Sequence, residues 1–430
     1  MKNLFLVLLL SIVVSSIRAQ QTDFEKFIAD KPGITLKKTG PPNNGFAEGY
    51  ELFIVQPLDH HHPGNGSFKQ RIWVSLRDTV DAHPVVMVTE GYSANRNYES
   101  EPAFLLNANQ IIVEHRYFSE SAPDTLDWQY LTVEQAATDH HEMIKLMKGF
   151  FKGKWITTGV SKGGQTAIYH RAFFPDDVDV TIPYVAPINF AREDPRIFEF
   201  FHKVSFESKR KRIHDFQRLV LEKQDTMKVM MKKQASVKGW TFRMGYEKAF
   251  DIAVLEYPFS LWQWGHDINQ IPDSTASNEE IFDNFTKVSS FSYECDQEWE
   301  KIEPFFYQAY KELGYYAYVS GDLKPLIKGF DSDTISSDIF APGGDTLRYI
   351  PQTMQFVMKS LKKNDPEIIA IAGENDPWGS TSLVVDDLPN AYKFVKPGGC
   401  HLSRIYNLPD EMKEQVYKLL EEWTGVKVQR

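Results

Sequence analysis

Ser161 stands in Gly159-Val160-Ser161-Lys162-Gly163, a G-x-S-x-G stretch. That spacing suits nucleophilic attack on a carbonyl. The glycines let the backbone turn tightly between a strand and a helix, which leaves the serine hydroxyl raised above the sheet. A hydroxyl is a weak nucleophile near neutral pH, so it needs a histidine base, itself oriented by a carboxylate. Two later loops carry these groups in the order such a turn requires. "EIIAIAG" leads into Glu374-Asn375-Asp376-Pro377-Trp378, and "AYKFVKPGG" leads into Cys400-His401. Asp376 and Glu374 are the candidates for the orienting acid, and His401 is the expected base. The oxyanion needs backbone donors: the N–H of Lys162, the residue after the nucleophile, and an N–H from "VTEGYSANR", where Gly91 and Tyr92 are the candidates.

The elements around these residues alternate in type. Short, largely apolar runs (51–56, 70–76, 84–89, 110–115, 155–159, 178–185, 367–372 and 392–395) read as strands, several of them buried on both faces. Helical patterns fall at 132–148, where Thr132 and Gln135 form a capping box, at 162–174 and at 410–423. Together they predict an α/β-hydrolase core, a mostly parallel sheet flanked by helices. The alternation stops between about Phe190 and Pro351, where Lys, Arg, Glu and aromatics recur at helical spacing. An inserted helical cap at 191–350 between core segments 20–190 and 351–430 accounts for this better than two consecutive domains.

Composition bounds the partners. The chain has 430 residues and a formal charge of -10, which argues against a nucleic-acid partner. Met1 to Ala19 reads as a signal peptide: Lys2, the apolar run Leu4 to Val14, then small and polar residues with cleavage near Ala19. The apolar run falls short of the roughly 20 residues a membrane helix needs. The expected location is therefore secreted or periplasmic, with no stable membrane span. Cys295 and Cys400 are the two cysteines, open to pairing or to remaining thiols. No metal or cofactor is expected. The cluster His60-His61-His62 points its side chains in different directions, and His140-His141-Glu142 lacks the i, i+4 histidine pair of a zinc protease.

Further stretches carry a family likeness: "QPLDHHHP" followed by "FKQR", "VEHRYFSESAP", "LTVEQAATDHHEM", "GVSKGGQTAIYHRAFFP", "ENDPW" and "GGCHLSRI". Together they resemble the exported proline-specific serine peptidases. Pieces are shared with the lysosomal prolyl carboxypeptidase and dipeptidyl-peptidase group. "GVSKGG" and "YPFSLWQWG" look closer to the bacterial prolyl tri- and tetrapeptidyl aminopeptidases, family thirty-seven of the serine peptidases. The resemblance implies a capped hydrolase that cuts after proline near a free N-terminus, with Ser161, Asp376 and His401 as its triad. Its partners would be short or unfolded peptides.

Selectivity then needs two further features. Trp262 and Trp264 are candidates for flat walls against a pyrrolidine ring, with cap core as their alternative role. Glu90 and Glu114, at the ends of central strands, are candidates to pair with a substrate ammonium, or else to bridge Arg116 or Arg96 structurally. Two other functions use the same residues: an esterase or lipase with the same triad, and a capped peptide-binding protein without turnover.

Overall fold

A computed structural model describes residues 21–78 and 82–430. The expected signal peptide lies outside the described residues. In chain order the elements are α1 (Asp23–Ala29), β1 (Ile34–Thr39), β2 (Glu48–Pro57), β3 (Ser67–Leu76), β4 (Val85–Thr89), α2 (Glu101–Leu105), β5 (Asn109–Val113), α3 (Val133–Met147), β6 (Trp155–Val160), α4 (Lys162–Phe173) and β7 (Val180–Tyr184). Next come α5 (Pro195–Lys203), α6 (Glu207–Glu222), α7 (Gln224–Lys238), α8 (Tyr246–Trp264), α9 (Asn278–Val288), α10 (Asp296–Gln308), β8 (Ala317–Val319) and β9 (Thr334–Ser336). The chain closes with α11 (Pro351–Asn364), β10 (Ile368–Gly373), β11 (Ala391–Lys396) and α12 (Asp410–Thr424).

Nine strands form one sheet in the order β1-β2-β3-β5-β4-β6-β7-β10-β11. The pairings from β5 through β11 are parallel, and those joining β1, β2, β3 and β5 are antiparallel. The strand order and the strand–serine–helix turn after β6 make this an α/β-hydrolase sheet. β4, β5, β7 and β10 are buried along their whole length, which explains their continuous apolar runs. Alternate side chains serve opposite faces. Val86 and Val88 pack toward Val416 and Leu420 of α12, whereas Val85 and Met87 pack toward Met143 and Ile144 of α3.

β1 was not expected from the sequence. Its residues "ITLKKT" form an edge strand that is only partly covered, so its two lysines hide the alternation. β7 and β10 are neighbours in the sheet although the chain between them is long. That excursion, from α5 through the two-stranded β8–β9 sheet, has its own hydrophobic core: Ile197 to Ala341, with Trp378 added from the loop after β10. α8 is its central rod, buried on nearly every face and kept helical through an internal Pro258. Among the described residues no helix is long and apolar enough to cross a membrane.

Candidate active site

β6 delivers Ser161 into a backbone conformation with φ 56° and ψ -123°, at the N-cap of α4. A non-glycine residue there stores on the order of 1–3 kcal/mol, held by surroundings that leave no alternative. Ser161 N–H donates to Tyr184 O at 2.9 Å, fixing the turn to β7. A Cβ on Gly159 would stand 2.3 Å from the Gly163 carbonyl carbon, and one on Gly163 would stand 2.4 Å from Thr89 O. Only glycine lets β6, α4 and the end of β4 meet so closely. Thr89 Oγ1 adds hydrogen bonds to Thr158 O at 3.1 Å and Gly163 O at 2.8 Å.

The loops after β10 and β11 bring Asp376 and His401 together, with Asp376 Oδ2 2.7 Å from His401 Nδ1. Asp376 is fully buried, and its other oxygen accepts from Trp378 N–H at 3.2 Å, so the carboxylate faces the imidazole at a fixed angle. Glu374 is placed differently: it is exposed and accepts from Gly398 N–H at 2.6 Å. Ser161 and His401 line one cavity of about 460 Å³. The end of α8 reaches the histidine loop directly. His401 N–H donates to Gln263 O at 2.9 Å, and the Trp264 ring stands edge-on to the imidazole at 5.7 Å.

Lys162 contributes more than its backbone. As the first residue of α4 its N–H has no acceptor within the helix, and it points out of the same turn that raises Ser161. The side chain is 2% exposed and donates through Nζ to Gly91 O at 2.5 Å, beside the faces of Tyr92 and Phe118. Burial alone holds its ammonium well below the ordinary lysine value. Gly91 has φ 76°, and a Cβ there would stand 2.6 Å from Gly163 N. The lysine thus ties the loop carrying Gly91 and Tyr92 to the serine turn, a role the sequence reading did not give its side chain.

Several sequence candidates fall elsewhere. Glu114 is fully buried outside the cavity, where its carboxylate accepts from Arg71 Nη2 at 2.5 Å, Ala94 N–H at 2.7 Å and both Ser121 donors. It knits the loop after β4 to β3, and its partner is Arg71, not Arg116 or Arg96. Arg116 instead forms a two-pronged pair with Asp139, both contacts at 2.7 Å, and Asp139 also meets His60 Nε2 at 2.7 Å. The "LDH", "EHRY" and "VEQAATD" stretches therefore converge on a structural network. His61 and His62 turn to Glu134 and Asp59. Glu90 lines the cavity and accepts from Tyr98 Oη at 2.6 Å; burial raises its carboxyl above the ordinary value.

Trp262 and Trp264 separate. Two residues on a helix are about 200° apart, so they cannot share a face. Trp264, 38% exposed, lines the catalytic cavity, whereas Trp262 is buried in the cap core beside a second cavity. The aromatic wall is built by Phe259, Tyr315, Tyr316 and Trp378, with Phe259 stacked on Tyr316 at 4.1 Å and Trp378 5.4 Å from Tyr315. Cys295 and Cys400 are both unpaired: Cys295 Sγ donates to Ser292 O at 3.1 Å, and Cys400 packs against Gly265. Among the described residues, no group of three or more His, Cys, Asp or Glu could hold a metal ion.

Two cap residues absent from the sequence reading also line the cavity, Glu256 of α8 and Glu294 of the loop before α10. Glu256 is 8% exposed and accepts from Ser260 Oγ and Tyr316 Oη, each at 2.7 Å. Burial pushes its carboxyl up to about 7. Glu294 is 1% exposed with Oε2 lacking any hydrogen-bond partner; burial, and then the nearby Glu256, push its carboxyl well above the ordinary value. Their signal was a lone glutamate in the otherwise apolar "IAVLEYPFSLW" and another between aromatic and apolar residues in "FSYEC".

The chain is similar to several known proteins. A prolyl tri/tetrapeptidyl aminopeptidase from Streptomyces mobaraensis is 31% identical over 424 residues, covering 96% of this chain and 87% of that protein. Mouse lysosomal Pro-X carboxypeptidase is 27% identical over 173 residues, covering 36% of this chain and 35% of that one. Among solved structures, a proline iminopeptidase from Mycobacterium smegmatis aligns with a TM-score of 0.41 at 11% identity, covering 86% of this chain and 98% of that one. The model of the family described as PS-10 peptidase S37 matches residues 19–430, and this chain, a serine peptidase on an α/β-hydrolase sheet, belongs to that family.

Proposed function

We propose that this peptidase is an exported exopeptidase that releases short peptides, three or four residues long, from free N-termini by cutting after proline. Ser161 attacks the scissile carbonyl. His401 takes the hydroxyl proton and returns it to the leaving amine, and Asp376 holds the imidazole in the required tautomer. The N–H of Lys162, with that of Gly91 or Tyr92, receives the developing oxyanion, each such donor lowering the barrier by roughly 3–4 kcal/mol. The proline ring packs against the wall of Phe259, Tyr315 and Trp378.

The observation that carries this reading is that Ser161 and His401 share one cavity of about 460 Å³ with aromatic side chains of the helical excursion, a concave site that suits a chain end better than a folded surface. The name of the Streptomyces relative supports the fragment length. The apolar segment before Ala19 supports export. Products from Ala-Ala-Pro-Ala-Ala should be identified by mass spectrometry for the parent and for Ser161→Ala. Release of Ala-Ala-Pro by the parent and none by the variant is expected. Turnover of short-acyl esters with the peptide left intact would instead make the chain an esterase in practice.

A further inference from the structure

Burying an acid normally requires a cation or a full set of hydrogen bonds, because an uncompensated charge in a low-dielectric site costs several kcal/mol. Glu114 meets that requirement through Arg71. Glu256 and Glu294 do not. Among the described residues, no lysine, arginine or histidine stands within ion-pair distance of either, and Glu294 Oε2 is buried without any partner. The groups facing Glu256 are neutral hydroxyls, those of Tyr316, Ser260 and Tyr318, together with Glu294 itself. Both glutamates line the cavity that holds Ser161, so the absent cation can arrive with the substrate.

Their position along α8 also carries information. Trp264 packs on His401, and Glu256 lies eight residues earlier on the same helix. At 1.5 Å per residue, that separation is about 12 Å. An extended peptide advances about 3.3–3.6 Å per residue, so a tripeptide spans about 10 Å and a dipeptide about 7 Å. A charge at Glu256 is therefore matched to a chain end three or four residues from the scissile bond.

We propose that Glu256 and Glu294 together form the receptor for the substrate's free α-ammonium group, and that their distance from His401 sets release of tri- and tetrapeptides over dipeptides. This rests on the peptide-cutting function above. In the empty cavity burial favours the neutral form of both acids, and an incoming ammonium favours their ionised form because its charge supplies the missing compensation. Glu90 is less suited, since one of its oxygens is committed to Tyr98 and it adjoins Gly91 at the serine end.

The test is calorimetric binding to the Ser161→Ala full chain of three ligands: Ala-Ala-Pro amide, its N-acetyl form, and the analogue with a hydroxyl in place of the α-amine. The free amine should bind on the order of 100-fold more tightly than either modified ligand. Glu256→Gln and Glu294→Gln, each placed in the Ser161→Ala chain, should erase most of that difference. Equal binding of the three ligands would overturn the proposal, as would no binding of any. So would Gln variants that keep the full difference, or a Glu90→Gln variant that alone abolishes it. If a Gln variant fails to fold, the modified ligands on the Ser161→Ala chain still decide. Cleavage is read separately: amine-dependent binding in a chain that leaves proline peptides intact would sink the function above and keep the receptor.

Discussion

The two walls of the catalytic cavity are built on opposite plans. On the sheet side, Ser161, Asp376 and Lys162 sit in positions dictated by neighbours: glycines that admit no Cβ, a carboxylate with both oxygens engaged, and an amine bonded to Gly91 O. On the cap side, Glu256 and Glu294 are buried without a counter-charge, and Glu294 keeps an unpaired Oε2. The complete wall is arranged for a transition state whose charges do not vary between substrates. The incomplete one is finished by the ligand, which is how a site rejects molecules lacking the matching group.

That contrast breaks most sharply at the triad. Asp376→Asn should lower kcat by about 10⁴-fold through the wrong imidazole tautomer, the scale known for the serine-protease template, while Glu374→Gln should change kcat by less than about threefold. A stopped-assay comparison of the two on one proline anilide checks it, and equal losses would return Glu374 to the candidate list. Next in size is Lys162→Met. By freeing the Gly91 loop it should lower kcat about 10- to 100-fold with KM little changed, less than removal of an oxyanion donor itself. Its stability should move the other way. The folded lysine value lies below the unfolded one near 10.4, so the parent loses stability as pH falls from there through the folded value. Lys162→Met escapes that loss, and melting scans at pH 7 and pH 10 should show its relative gain at the lower pH.

A further effect belongs to the cap wall and needs no substrate. Glu256 is raised from an unfolded value near 4.5 to about 7, so its contribution to stability is complete below 4.5 and is lost as pH rises through 7. Above pH 7 the ligand-free parent therefore carries a penalty on the order of 3 kcal/mol. Glu256→Gln should melt above the parent at pH 8 and close to it at pH 5. A constant difference across that range would mean that the carboxylate already has a compensating cation.

The sheet wall was legible in the sequence because its information is local. Gly159 to Gly163 specify the turn by themselves, Asp376 follows the fully buried β10, and His401 follows β11, an edge strand buried at only two of its six positions. The cap wall depends on which face of a long helix meets which loop, and Glu256 and Glu294 are brought together by packing between residues far apart in the chain. Of Trp262 and Trp264 only Trp264 lines the cavity, a separation that helical phase already sets for neighbours two apart. Glu114 takes the structural role the sequence left open, but its place at a strand end matched that of Glu90, and only the tertiary arrangement reveals that Arg71 is its partner.

The bond from His401 N–H to Gln263 O gives α8 a second significance. The same rod that carries Glu256 at one level holds the backbone of His401 at its tip. Raising the tip of α8 would therefore break a main-chain anchor of the loop that carries the imidazole, so the helix that supplies a cavity-lining acid also fixes the histidine's backbone.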